Sequence, residues 1–161
     1  NKKLGGGALL DESHWIDQML WLFGTPKSVS GIVDRISDLE ISSDDFVELI
    51  VRYDDKFTVS MHLDLFGRPH EKSIVVIGGK GRISWTEEAN CVSWVDNSGV
   101  KQEKKFQEER NAMFLDAAKE FANLISGEPA QTCTLNDGIQ VLKVVEAIRQ
   151  SDYLGQTVEV N

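Results

Sequence analysis

Basic residues are in short supply. Lys and Arg number 17 against 26 Asp and Glu, for a formal net charge of −9. A chain of that sign repels phosphate backbones, which argues against a nucleic-acid partner. Long apolar runs are missing too. The densest, residues 16–23, is interrupted by Asp17 and Gln18 and falls well short of the roughly 18 residues a membrane span needs. Cysteine is limited to Cys91 and Cys133. Their separation matches no zinc or redox spacing, so two buried thiols in a reducing cytoplasm are expected. No cluster of His, Cys, Asp and Glu has metal-ligand spacing. No Gly-x-Ser-x-Gly is present, and no cysteine pairs with a histidine in a known motif.

A dinucleotide fingerprint is also lacking. Residues 73–77 form a β-branched run followed by Gly78-Gly79-Lys80-Gly81, but the position that needs a third glycine holds Ser84. Trp85-Thr86-Glu87-Glu88 then opens no helix. The segment reads as a glycine hairpin, in which glycine supplies a positive φ. The start, Asn1-Lys2-Lys3-Leu4, carries neither an initiator Met nor a signal-peptide pattern. Gly5-Gly6-Gly7 then leads at once into a helix, which predicts an excised part of a longer protein.

What is present is enough for one domain, residues 1–161, with a sizeable core. Residues 8–23 read as a helix stopped by Gly24-Thr25-Pro26. Strands are expected at 28–37 and 45–53, then a turn at Asp54-Asp55 and a strand at 56–65. In the last of these Phe57, Val59, Met61, Leu63 and Leu65 alternate with Thr58, Ser60, His62 and Asp64. Shorter strands follow at 73–77, 82–85, 91–95 and 100–105, with Asp96-Asn97-Ser98-Gly99 as a turn. The period then becomes helical. Met113, Phe114, Ala117, Phe121 and Leu124 mark one helix, capped by Gly127. Thr134 and Asp137 cap a second, with Leu135, Ile139, Leu142, Val145 and Ile148 as its expected buried stripe. A short extended tail covers 157–160. A helix, then five to seven mostly antiparallel strands, then two helices argue an α+β fold, an open sheet with helices on one face.

The first helix holds the candidate chemistry. Projected at about 100° per residue, Leu9, Ile16, Met19, Leu20, Leu22 and Phe23 share one arc, with Trp15 at its edge. Asp11, Ser13, His14, Asp17 and Gln18 occupy the other. Asp11, His14 and Asp17 stand three apart and form a ridge. A carboxylate one turn from an imidazole stabilises the imidazolium and orients the ring, which suits proton exchange with a substrate hydroxyl. Spacing alone favours a solvated polar face, but Leu10 and Trp21 within that face point to something covering it. His62, beside Asp64, reads as a surface or subunit-contact residue, and His70, after Pro69, as an exposed turn residue.

Gly5-Gly6-Gly7-Ala8-Leu9-Leu10-Asp11-Glu12-Ser13-His14-Trp15-Ile16-Asp17, running on to Leu20-Trp21-Leu22-Phe23-Gly24-Thr25-Pro26, resembles the C-terminal domain of the glucose–fructose oxidoreductase / inositol dehydrogenase / MocA family. His62-Leu63-Asp64 with Arg68-Pro69, Val76-Ile77-Gly78 and Gly81-Arg82-Ile83-Ser84-Trp85 are similar to the family's central strands. Residues 114–127 and 137–158 are similar to its closing helices. The resemblance implies a dihydrodipicolinate-reductase-like C-terminal domain. An upstream Rossmann domain, absent from this chain, would carry the glycine fingerprint and a catalytic lysine in a Glu-Lys-Pro motif and would bind most of an NAD or NADP cofactor. It implies that His14 matches the catalytic histidine, Asp11 its paired acid and Asp17 the following aspartate, which either touches substrate or orients the helix; Trp21, on the same face, is a candidate substrate-binding residue. Many members place that acid four residues before the histidine, and here the gap is three.

The expected activity is hydride transfer to or from a secondary alcohol or ketone of a sugar, cyclitol or similar polyol. The fragment alone is expected to be inactive, and the full-length protein to be a cytoplasmic homodimer or homotetramer built through the open sheet face, with no membrane partner. The alternative is a non-catalytic ligand-binding or oligomerisation module that keeps the fold without turnover.

Overall fold

The structure, a computed structural model, describes residues 2–54, 57–107 and 110–161. The expected α+β fold is observed, with its antiparallel strands divided between two four-stranded sheets. The chain separates into two compact units, residues 1–66 with 132–161 and residues 67–131.

In the first unit the sheet order is β3-β2-β1-β8, formed by Thr58–Asp64, Phe46–Arg52, Ser28–Asp34 and Val158–Glu159. The predicted alternation fixes the register. Val47 pairs with Val33 and Leu63, Leu49 with Gly31 and Met61, and Val51 with Val29 and Val59, so one row of apolar side chains faces inward. Onto that face pack α1 (Ala8–Asp11), α2 (His14–Phe23) and α4 (Leu135–Leu154). The core joins Leu9, Ile16 and Met19 to Val47, Leu49, Val51, Val144 and Ile148. Gly31 lets α4 come close, because a Cβ there would lie 2.8 Å from Leu49 Cδ2 and 3.3 Å from Ile148 Cγ2. β8 pairs only with Ser28 and Val29. Beyond its end the backbone N–H groups of Gly31 and Val33 donate to Ser151 Oγ (3.1 Å) and Asp152 Oδ1 (3.1 Å) on α4. A half-buried strand edge is thereby satisfied by helix side chains.

The second unit is a meander, β4 (Ser73–Gly78), β5 (Gly81–Thr86), β6 (Cys91–Asp96) and β7 (Lys101–Lys105), followed by α3 (Arg110–Ile125). The glycine-rich segment joins β4 to β5 as a hairpin, with Gly78 opposite Gly81. Gly81 has φ +143°, and a Cβ there would meet the Val95 backbone. The 96–99 turn closes as read, with Asp96 Oδ1 accepting the Ser98 N–H at 2.8 Å.

Several expectations need correction. The first helix is interrupted at Glu12 and Ser13, where Ser13 N–H bonds Leu10 O (3.2 Å) and Trp15 N–H bonds Glu12 O (3.0 Å), both three residues back rather than four. In α4 Val145 and Ile148 are buried as expected, together with Val141, Val144, Ala147 and Ser151, whereas Leu135, Ile139 and Leu142 are exposed. The helix carries two apolar stripes, and the one carrying Val144 and Ile148 joins the core with the sheet. Cys91 is buried, but Cys133, in the segment preceding α4, is exposed. The turn expected at Asp54-Asp55 and the start of the third strand at Lys56 fall partly on residues 55 and 56, outside the described residues.

Candidate functional site

The paired helices α1 and α2 are held at both ends. At the C-terminal end Gly24 takes φ +76°, and Phe23 sits against Tyr53 and Phe57 at centroid separations of 6.5 and 4.8 Å. The Tyr53 hydroxyl donates to Gly24 O at 3.1 Å, and burial pushes its pKa up to about 12. At the N-terminal end the N–H groups of Ala8 and Leu9 donate to Asp44, one to its backbone oxygen (2.9 Å) and one to its Oδ2 (2.8 Å). Between these anchors Leu9, Ile16 and Met19 are buried. The wheel then sends His14, Gln18 and Trp21, at i, i+4 and i+7, to the opposite side.

That side is where the predicted site residues lie. The His14 side chain is 57 % exposed, Trp21 is 78 % exposed, and Asp17 and Gln18 are half-buried on the same flank. The carboxylate beside His14 is not the expected one. Glu12 Oε2 lies 3.5 Å from His14 Nε2 and accepts the Trp15 indole N–H at 3.2 Å. Trp15 in turn stands 5.4 Å from the His14 ring, centroid to centroid. Asp11 turns the other way, its Oδ2 accepting the Gly7 N–H at 3.0 Å. The arrangement is a solvent-facing imidazole on a braced helix, with an acid and two indoles on the same short segment. It can exchange a proton with a hydroxyl brought to it. Sequence reasoning passed over Glu12 because residues two apart on a regular helix do not face each other, and the break at 12–13 removes that restriction. It passed over Asp44 because that acid comes from a loop 35 residues away.

His62 stands elsewhere, on the uncovered face of the first sheet. Its Nδ1 lies 2.6 Å from Glu48 Oε1 and its Nε2 3.0 Å from Asp64 Oδ2. The Glu48 hydrogen bond raises its pKa, burial opposes this, and Asp64 adds to the rise. His70 is exposed, as expected.

The fit of a dinucleotide can be judged from two loops. Gly78–Gly81 is a hairpin between strands. The Gly5–Gly7 loop does precede a helix, but the N–H groups of Ala8 and Leu9 are already taken by Asp44, whose carboxylate would repel a pyrophosphate. Neither glycine loop therefore provides a cradle for a pyrophosphate. Among them no group of His, Cys, Asp and Glu could hold a metal ion, and no helix is long and apolar enough to cross a membrane.

Residues 1–160 match the family model described as oxidoreductase family, C-terminal alpha/beta domain. The chain belongs to this family, the glucose–fructose oxidoreductase / inositol dehydrogenase / MocA group. Solved structures agree in fold. Levoglucosan dehydrogenase in complex with NADH superposes with a TM-score of 0.84 at 19 % identity, over 98 % of this chain and 51 % of the dehydrogenase. Its complex with NADH and levoglucosan gives 0.83 at 19 % identity, over 98 % and 51 %. The WlbA dehydrogenase of Bordetella pertussis, in complex with NADH and UDP-GlcNAcA, gives 0.73 at 23 % identity, over 97 % of this chain and 46 % of that one. The chain thus spans about half the length of the structures it matches. No curated protein matches it.

Proposed function

We propose that this chain is the catalytic and substrate domain of an NAD(P)-dependent oxidoreductase acting on a secondary alcohol or ketone of a sugar, cyclitol or similar small polyol. The observation that carries the reading is His14, presented to solvent from a braced helix with Trp21 on the same flank, in a chain of this family. The nicotinamide supplies hydride chemistry when bound. It would be held mainly by another domain, because the loops described above offer it no cradle. What this chain contributes is the proton. His14 accepts it from the substrate hydroxyl in the oxidising direction and returns it to the carbonyl oxygen in the other. Trp21 offers an apolar surface for a pyranose or cyclitol face, and Asp17 a carboxylate for a hydroxyl. Glu12 orients the imidazole from 3.5 Å. Asp11, the acid the resemblance pairs with the histidine, acts here through the Gly7 backbone. The neighbours named above were solved with levoglucosan or a nucleotide sugar, which supports a sugar-like substrate class.

The test is His14→Ala in the full-length protein. Turnover should fall by about a hundredfold or more, the usual worth of a positioned acid–base group. The melting temperature should hold, because His14 contributes nothing to the core. Asp11→Asn should reduce turnover less. Near-normal turnover of His14→Ala on the true substrate would discard the acid–base assignment in favour of a non-catalytic module.

A further inference from the structure

The four-residue α1, which precedes the helix that carries His14, starts without a side-chain cap of its own. Its N-cap is Gly7, which has no side chain to accept the first-turn N–H groups. The deficit is met from outside. Asp44 accepts the Ala8 N–H through its backbone oxygen at 2.9 Å and the Leu9 N–H through Oδ2 at 2.8 Å. Asp11 Oδ2 takes the Gly7 N–H at 3.0 Å, and Gly7 O takes the N–H groups of Leu10 and Asp11 at 3.1 and 2.8 Å. Every backbone donor from Gly7 to Asp11 is thus engaged, two of them by one residue. A negative charge at this end is also favoured by the helix dipole.

The glycine at position 7 is fitted to this clamp. It has φ +136°, and a Cβ there would collide with the Asp44 carboxylate, 2.7 Å from its Cγ. Asp44 is itself rigidly mounted. The next residue, Asp45, is fully buried and binds Ile36 N–H at 2.8 Å and Ser37 N–H at 3.2 Å. Its backbone is tied to Asp34 O and to the Leu65 N–H, both at 3.0 Å. The loop between β1 and β2 is therefore latched to the sheet, and Asp44 reaches from that latch to the helix. The four-back hydrogen bonds lapse after Glu12, so α1 is only four residues long, and Asp44 adds an external anchor to the one its buried Ala8 and Leu9 provide.

We propose that Asp44 is a positioning residue for His14, fixing α1, the segment that leads into the catalytic helix, to the sheet. The inference rests on the acid–base reading of His14. A displacement of about 1 Å at a reacting group can cost roughly a hundredfold in rate, so losing the clamp should be read in turnover and not only in stability.

The experiment is a double-mutant cycle in the full-length protein, assayed well below the melting temperature of every variant. Asp44→Ala should lower kcat by about tenfold or more. The KM for the nicotinamide, whose site lies outside this chain's loops, should stay within about twofold. Asp44→Asn keeps an oxygen for the Leu9 N–H and should recover most of the loss. In the His14→Ala background Asp44→Ala should cost almost nothing further, because its effect passes through His14. Equal losses in both backgrounds would overturn the proposal, since a general structural role predicts them, and so would a folded Asp44→Ala with unchanged kcat. If Asp44→Ala does not fold, Asp44→Glu replaces it. That variant keeps the charge, shifts the accepting oxygen by one methylene, and should show the same coupling to His14. The His14→Ala single variant reads the acid–base assignment by itself. If it retains turnover, that assignment fails and the positioning role falls with it, whereas a large His14 effect without coupling removes only the role of Asp44.

Discussion

At the scale of single residues, the most constrained group is Asp45. Its side chain has no exposed surface and accepts three hydrogen bonds, from Ile36 N, Ser37 N and the Ser37 hydroxyl. Burial pushes its carboxyl up. The Ser37 hydroxyl, the two N–H groups and the Arg35 charge outweigh that and leave it below the ordinary carboxylate value. A depressed folded-state pKa gives stability that is present above the unfolded value and lost as pH falls through the folded one. Asp45→Ala, which strands two backbone donors, should lower the melting temperature by roughly 5–10 °C at neutral pH. The milder Asp45→Asn should differ from wild type near neutrality and converge on it below about pH 4. Calorimetry at the two pH values checks this, and a gap unchanged by acid would show that the carboxylate charge is not what holds the loop. None of this was legible in the sequence. Asp45 read there as the first residue of a strand and Asp44 carried no reading, because a cap or latch made across a loop leaves no periodic mark. His14 and Trp21 were legible on the outer face, since helical spacing alone separates them from Ile16 and Met19.

At the scale of elements, α4 shows where periodicity leaves a choice. Its sequence carries two apolar stripes, Leu135, Ile139 and Leu142 on one and Val141, Val144, Val145 and Ile148 on the other. The resulting moment is weak, and spacing does not say which stripe meets the sheet. The capping box was readable, and Thr134 Oγ1 does accept the Asp137 N–H while Asp137 Oδ2 accepts the Thr134 N–H at 2.7 Å. Strand positions were readable for the same reason: period two is strong in β2 and β3, and their pairing follows it. The division into two sheets was not, because each hairpin looks alike locally. The correction to α4 predicts an unequal pair of variants. Ile148→Ala, in the core against Gly31, should cost about 2–5 kcal/mol. Leu142→Ala, at a position 59 % exposed, should stay within about 0.5 kcal/mol. Urea denaturation of both, with unchanged slopes, tests the assignment, and comparably large losses for both would restore the single stripe read from the sequence.

At the scale of the whole molecule, the first sheet has one face beneath helices and one face uncovered by its own unit. On β2 the inward residues Val47, Leu49 and Val51 alternate with Phe46, Glu48, Ile50 and Arg52 on the other side, and Ile50 is 52 % exposed there. Its neighbour across β1, in the next row, is Ile32, 56 % exposed. A sheet face with apolar side chains among charges favours association, and a second copy suits it. We therefore expect the full-length protein to be a dimer or tetramer in sedimentation at tens of micromolar, and Ile50→Glu to reduce it to a smaller species without unfolding it. The pH dependence has a definite sign. His62 lies on this face between Glu48 and Asp64, with a raised pKa. While protonated it offsets one of two carboxylates, and Asp34, on the same face of the adjoining β1, adds a further acid. As pH rises through that raised value the cluster becomes more negative and faces an equally negative copy. Association should therefore weaken as pH rises past the ordinary imidazole value and through the raised one. In His62→Gln, which cannot take up the proton, the dependence should flatten. A strictly monomeric protein would remove the interface, whereas a stable oligomer whose dissociation constant ignores both pH and His62 would place the contact on some other surface.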